Sequence, residues 1–174
     1  MSSLVRIGLP LKNFNVQGLE DSVFNSDDEF DDNQVSRAVP EPEESTFEWP
    51  EGISTVMVKN IPNRYTAEEL IAEMFVHQFY GTTDYDFLYL PIDFSTKRNR
   101  GYAFINFTRA SIAARFFKLF NKSRLMKYMS HKIIGVTPAV TQGFDANVKQ
   151  LLRKEVQRVQ NQWFRPLIFK ELGD

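Results

Sequence analysis

The sequence contains no cysteine. Disulfides, thiol nucleophiles and thiolate zinc sites are therefore excluded. With only 2 histidines among 174 residues, an imidazole-built metal centre is not expected, and no cofactor is predicted. No apolar run reaches the roughly 18 residues that a membrane-spanning helix needs. The opening "MSSLVRIGLPLKNF" is broken by Arg6, Gly8 and Pro10 and lacks the pattern of a secretory signal. A nuclear or cytoplasmic protein, not a secreted one, is the expectation. Asp84, Asp86 and Asp93 cluster along the chain, but no general base, nucleophile or glycine-rich phosphate loop accompanies them. Turn-forming and capping roles suit them better, and no enzyme is expected.

What is present is apolar and aromatic. Hydrophobic residues make up 43% and aromatic residues 14%, with 16 phenylalanines, enough for a real core. Charge is divided unevenly. Residues 1–52 hold 3 basic and 12 acidic side chains, a net of −9, whereas residues 53–174 hold 18 basic and 10 acidic, a net of +8. The acidic segment, with "SDDEFDDNQ" and "PEPEES", has few aliphatics and no sustained period, so residues 1–52 are read as a disordered arm. A basic body carrying an acidic arm suggests an anionic partner for the body.

From Ser54 the pattern becomes that of a folded domain. "STVMVKNI" alternates and is rich in strand formers. Thr66 and Glu69 have the spacing of a capping box, and Leu70, Ile71, Met74, Phe75 and Phe79 recur at helical intervals up to Gly81, read as the helix stop. "YDFLYLPI" reads as a second strand, "DFSTKRN" as a polar loop and Gly101–Phe107 as a third strand. Ile112, Phe116, Leu119 and Phe120 mark a second helix, and a fourth strand lies around Lys132–Thr137. The order βαββαβ predicts an α+β, ferredoxin-like sandwich: a four-stranded antiparallel sheet with two helices on one face. A third amphipathic helix, roughly residues 146–160, belongs to a C-terminal extension over 144–174 that packs on the domain of residues 53–143.

The segment "RGYAFINF", Arg100 to Phe107, carries the chemistry. In a strand, Ala103, Ile105 and Phe107 fall on one face, and Arg100, Tyr102, Phe104 and Asn106 on the other. The first set is core material. The second places two rings between a cation and an amide, on the face the helices leave open. The octamer resembles the signature of the RNA recognition motif at every position: basic, Gly, aromatic, Ala, aromatic, aliphatic, any, aromatic. "VMVKNI", Val56 to Ile61, is similar to the companion hexamer except that Met57 stands where an aromatic is usual. "NIPNRY", "YLPIDF", Gln142–Gly143 and the late "RPLIF" narrow the resemblance to the C-terminal RNA recognition motif of Mei-two-like RNA-binding proteins, over about Thr55 to Phe169.

That resemblance implies binding of single-stranded RNA, in a setting of meiotic or developmental RNA regulation. Bases would stack on Tyr102 and Phe104. Lys59 and Arg100 would meet the backbone, Lys97 and Arg98 would steer the strand, and Met57, Asn60, Tyr89 and Asn106 would add contacts to bases. The family commonly carries an aromatic and an arginine before the Gln-Gly pair, where this chain has Pro138 and Val140. The competing expectation is a protein-interaction module on the same scaffold, its sheet sealed by the C-terminal helix. Protein partners would then use that helix or the arm. A monomer is expected in either case. The opposed charges of arm and body predict competition between the arm and RNA. Deleting residues 1–50 should tighten binding of a labelled single-stranded RNA at low salt, read by fluorescence anisotropy; unchanged affinity would refute it.

Overall fold

A computed structural model describes residues 47–153 and 165–169. Most of the expected acidic arm, and the part of the third helix expected beyond Arg153, lie outside the described residues. The elements are β1 (Thr55–Lys59), α1 (Ala67–Val76), β2 (Tyr85–Tyr89), β3 (Ile92–Asp93), β4 (Arg98–Asn99), β5 (Tyr102–Phe107), α2 (Ala110–Phe120), β6 (Gly135–Pro138), α3 (Phe144–Arg153) and β7 (Leu167–Ile168). The main sheet has the order β6-β1-β5-β2-β7 with every pairing antiparallel. The four expected strands are present, the fourth beginning at Gly135. The late "RPLIF" adds a fifth, two-residue edge strand, too short to show a period. The loop expected at "DFSTKRN" closes as a small hairpin, β3 against β4.

One face of the sheet meets α1 and α2. Val56, Val58, Leu88, Ala103, Ile105 and Phe107 project from the strands into a core completed by Leu70 and Met74 of α1 and Ile112, Phe116 and Phe120 of α2. Each of these side chains larger than Ala103 contributes about 1.5–3 kcal/mol on full burial. Four rings, Phe79, Phe107, Phe116 and Phe120, interlock there, with Phe116 stacked on Phe120 at 4.4 Å. Trp49 already belongs to this unit. Its ring lies 5.2 Å from Phe117 and its Nε1 donates to the Ile53 carbonyl at 2.9 Å, so the folded body starts before the expected boundary at Ile53.

Local chemistry sets the helix ends. The capping box forms as its spacing predicts: Thr66 Oγ1 accepts from the Glu69 N–H, and Glu69 Oε2 accepts from the Thr66 N–H. The stop differs from the expectation at Gly81. Helix α1 ends at Val76, His77 caps it, and Gln78 takes the left-handed conformation, φ 63°. Gly81 serves a close approach instead. A Cβ there would lie 3.0 Å from the Phe169 ring, which packs against Tyr85 at the sheet edge.

The turn between β1 and α1 is clamped by a residue of the hairpin. Asn99 is buried, its Nδ2 donating to the carbonyls of Pro62 (3.0 Å) and Tyr65 (2.8 Å), and its Oδ1 accepting from the Gly101 N–H (2.7 Å). Asn63 returns a bond from Nδ2 to the Asn99 carbonyl at 2.9 Å, and its Oδ1 accepts from Lys132 Nζ at 2.7 Å. Gly101, with φ +87°, lets the chain turn from the hairpin into β5 while its carbonyl accepts from the Ile61 N–H. Replacing Asn99 with Ala leaves two carbonyls and one N–H without these partners. Asn99→Ala should lower the unfolding free energy by about 3 kcal/mol, visible as an earlier urea midpoint by circular dichroism. A shift under about 1 kcal/mol would show that water replaces the clamp.

Candidate nucleic-acid interface

The face opposite α1 and α2 is organised by strand register into three rows. The first holds Gly135, Lys59 and Tyr102; the second Thr137, Met57, Phe104 and Tyr89; the third Thr55, Asn106, Phe87 and Ile168. Cross-strand partners share a face, so each row is a line of neighbouring side chains. In β5, Ala103 and Ile105 are wholly buried on the helix side, while Tyr102 and Phe104 stay half-buried. Their rings sit 5.8 Å apart, edge to face at 76°. Lys59 is exposed beside Tyr102, and Met57 lies half-buried beside Phe104.

The third row is closed. Phe144 and Val148 of α3 pack with Phe87 and Ile168, and Leu151, Tyr89 and Phe104 each pack against this cluster. Phe87 faces α3 because a register shift between Tyr85 and Phe87 turns Tyr85 to the main core and Phe87 away from it. A polar latch holds the helix start. Gln142 Oε1 accepts from the N–H groups of Ser54 (3.1 Å) and Thr55 (2.9 Å), while its Nε2 donates to the carbonyls of Thr55 (2.8 Å) and Ala139 (2.7 Å). The Gly143 N–H donates to Thr55 Oγ1 at 2.9 Å, and Asn147 Nδ2 to the Gly143 carbonyl at 2.7 Å. The Gln-Gly pair, which the sequence showed only as a family mark, is the seat of α3.

Asn106 departs from its expected place. It is 3% exposed; its Oδ1 accepts from Ser54 Oγ (3.0 Å) and Thr55 Oγ1 (2.7 Å), and its Nδ2 donates to Asp86 Oδ1 (2.7 Å). The residue shares the face of Tyr102 and Phe104 but is sealed under the latch, so its amide is not open to a base edge. Asn60 is exposed with φ 61°, and its Nδ2 donates to the Ile133 carbonyl at 2.9 Å; it positions the loop before β6. Asp84 and Asp93 act in turns as expected: Asp84 Oδ2 accepts from the Tyr80 N–H, and Asp93 Oδ1 from Ser95 and Thr96. Of the two departures from the family pattern, Pro138 pairs with Val56 in the sheet and Val140 is fully exposed.

Lys97, Arg98 and Arg100 are exposed on and beside the β3–β4 hairpin. With Asn63, Asp93, Thr96 and Asn99, the two arginines line an open cleft of about 640 Å³ next to the first row. The sequence reading missed Asn63, Asn99, Asp93 and Thr96 as parts of a surface. The available sign was the pair of asparagines flanked by Pro, Arg and Gly in "IPNR" and "RNRG". Electrostatics joins cleft and rings. Burial pushes the Tyr89 hydroxyl up from its ordinary value and the neighbouring Tyr102 adds to this, while Arg100 opposes it. The hydroxyl and N–H of Ser95 and the N–H of Thr96 hold the Asp93 carboxyl below its ordinary value, so it is ionised at neutral pH.

The model of the family "RNA recognition motif 2" matches residues 53–152. The chain belongs to this family. The RNA recognition motif here is similar to "Protein MEI2-like 3" of Oryza sativa subsp. japonica, 38% identical over 120 residues that cover 69% of this chain and 12% of that protein. It is 40% identical to "Protein MEI2-like 1" of Arabidopsis thaliana, covering 69% and 13%. The "terminal ear1 homolog" of Oryza sativa subsp. indica is 35% identical over 135 residues, covering 70% and 20%. The chain thus spans 12% to 20% of the length of these relatives. A solved structure, that of the RNA15 RNA recognition motif, is 22% identical with a TM-score of 0.41, covering 56% of this chain and 97% of that one.

The buried position of Asn106 separates a structural from a binding role. Asn106→Ala should cost about 2–3 kcal/mol of unfolding free energy, because Thr55, Ser54 and Asp86 lose a shared partner. A direct base contact would instead show as weakened RNA binding at unchanged stability, measured by urea unfolding and anisotropy on the same sample.

Proposed function

We propose that this RNA recognition motif binds single-stranded RNA on the first two rows of its sheet, with bases stacked on Tyr102 and Phe104. The observation that carries this reading is the pair of rings left on an open face by a strand whose other side is fully buried. Lys59 and Arg100 flank the rings, and among the described residues neither forms an ion pair, so both cations are available to phosphates. Met57 supplies apolar contact where family members place a ring, and Tyr89 extends the second row. Lys97 and Arg98 add positive charge along the hairpin, which favours salt-dependent binding. The family and the MEI2-like relatives support RNA as the partner class. A role in post-transcriptional RNA regulation, in meiosis or development, inside the nucleus or cytoplasm, is part of this proposal, as is action as a monomer.

The cover of α3 over the third row favours a second reading, in which the sheet is a protein-docking surface and Phe104 belongs to the packing around α3. The two readings separate on one substitution. Tyr102 and Phe104 lie outside the main core, so Tyr102→Ala/Phe104→Ala should keep a cooperative thermal transition. Two lost stacks, at roughly 1–3 kcal/mol each, predict at least about a 30-fold loss of affinity for single-stranded RNA. Binding that survives the double variant, or absence of RNA binding by the folded wild type at micromolar protein, would favour the docking surface.

A further inference from the structure

The cleft beside the hairpin has an unusual balance of groups. Arg98 and Arg100 are two residues apart and project to the same side of the chain, while Asn99 between them turns inward to its clamp. Asp93 is the cross-strand partner of Arg98, yet the two form no ion pair. All hydrogen bonds of the Asp93 carboxylate fall on Oδ1; Oδ2 has no hydrogen-bond partner among the described residues. Neither guanidinium has a hydrogen-bond partner there. The floor is fixed, because Asn63 and Asn99 spend their amides on each other's loops and on Lys132. The cleft therefore presents ten guanidinium N–H donors in two forks and one ionised acceptor, held on a rigid base.

A phosphate would pair with the forks but would be repelled by Asp93. A base edge with adjacent acceptors and adjacent donors satisfies both. Guanine has that pattern: O6 and N7 accept from arginine, the commonest specific pairing to a base, while N1–H and the exocyclic amine donate to a carboxylate. Adenine puts an amine where O6 would be, and uracil and cytosine lack the paired acceptors of N7 and O6. Resting on the proposed RNA-binding function, we propose that this cleft is a guanine-reading subsite for the nucleotide next to those stacked on Tyr102 and Phe104. Arg100 lines the cleft and stands two residues before Tyr102 in the chain, with the turn at Gly101 between them, so the two surfaces adjoin. That adjacency identifies the ligand as a base in the strand rather than a free nucleotide.

The test uses the full chain and a panel of labelled eight-nucleotide oligo(U) RNAs, each with a single G, A or C moved through successive positions. Fluorescence anisotropy should find one position at which G binds about tenfold tighter than A, C or U. Asp93→Asn keeps an oxygen for the Ser95–Thr96 turn but replaces the free acceptor by a donor. It should abolish the G preference without weakening oligo(U) binding, since a negative charge that repels phosphate is removed. Arg98→Ala should weaken the G-containing strand most. If the panel binds, loses binding with Tyr102→Ala/Phe104→Ala, and shows no G preference, the subsite is refuted while the RNA reading stands. If Asp93→Asn retains the preference, the subsite is also refuted. A panel that does not bind at all refutes both. Free guanosine monophosphate that competes at the strand's own concentration would show a mononucleotide site and overturn the assignment to the strand.

Discussion

Ile105 and Ala103 have no accessible surface, and the period of two in a β-strand turns that burial into a constraint on their neighbours. Once these residues lie against α1 and α2, Tyr102 and Phe104 must project from the other side. A slip of one residue would bury both rings and expose the core set. The pairing of β5 with β1 and β2 on its two sides makes that slip costly, since it would break both ladders. The surface proposed for RNA is thus set by the same packing that makes the domain stable.

The second face is divided rather than open or closed. The Gln142–Gly143–Asn147 latch seats α3 over the Thr55–Asn106–Phe87–Ile168 row, and the apolar contacts of Phe144 and Val148 complete the cover. Buried polar groups there are paired with one another, as a low-dielectric site requires. Two rows remain, bordered by α3 on one side and by the hairpin cleft on the other. Phe104 and Tyr89, packed against the cluster of Phe87, Phe144, Val148 and Ile168, stand at the border between covered and uncovered surface.

Polar residues of the segments that carry the resemblance have mostly structural duties. Asn60 holds the loop before β6, Asn63 and Asn99 tie the β1–α1 turn to the hairpin, and Gln142 anchors α3. Their polar side chains saturate backbone groups of irregular segments, where no regular ladder is available to do so. Exposed cations and rings are then carried on loops and strands whose positions are fixed from below.

The order of the strands and helices, the capping box at Thr66 and the outward placement of Tyr102 and Phe104 were legible in the sequence. Each depends on a local period or a short spacing that neighbouring residues impose on one another. The five-residue "RPLIF" could not disclose its edge strand, because a two-residue strand has no period and exists only by pairing with β2. Asn106 follows the alternation of β5 and still is not at the surface, because what lies over a strand position comes from residues some forty places away in α3. Gly81 looked like a helix stop until the Phe169 ring supplied a different reason for a missing side chain. Amino-acid order by itself determined which side chains share a face; tertiary structure alone decided which parts of that face another segment covers, since cover is a property of distant segments meeting.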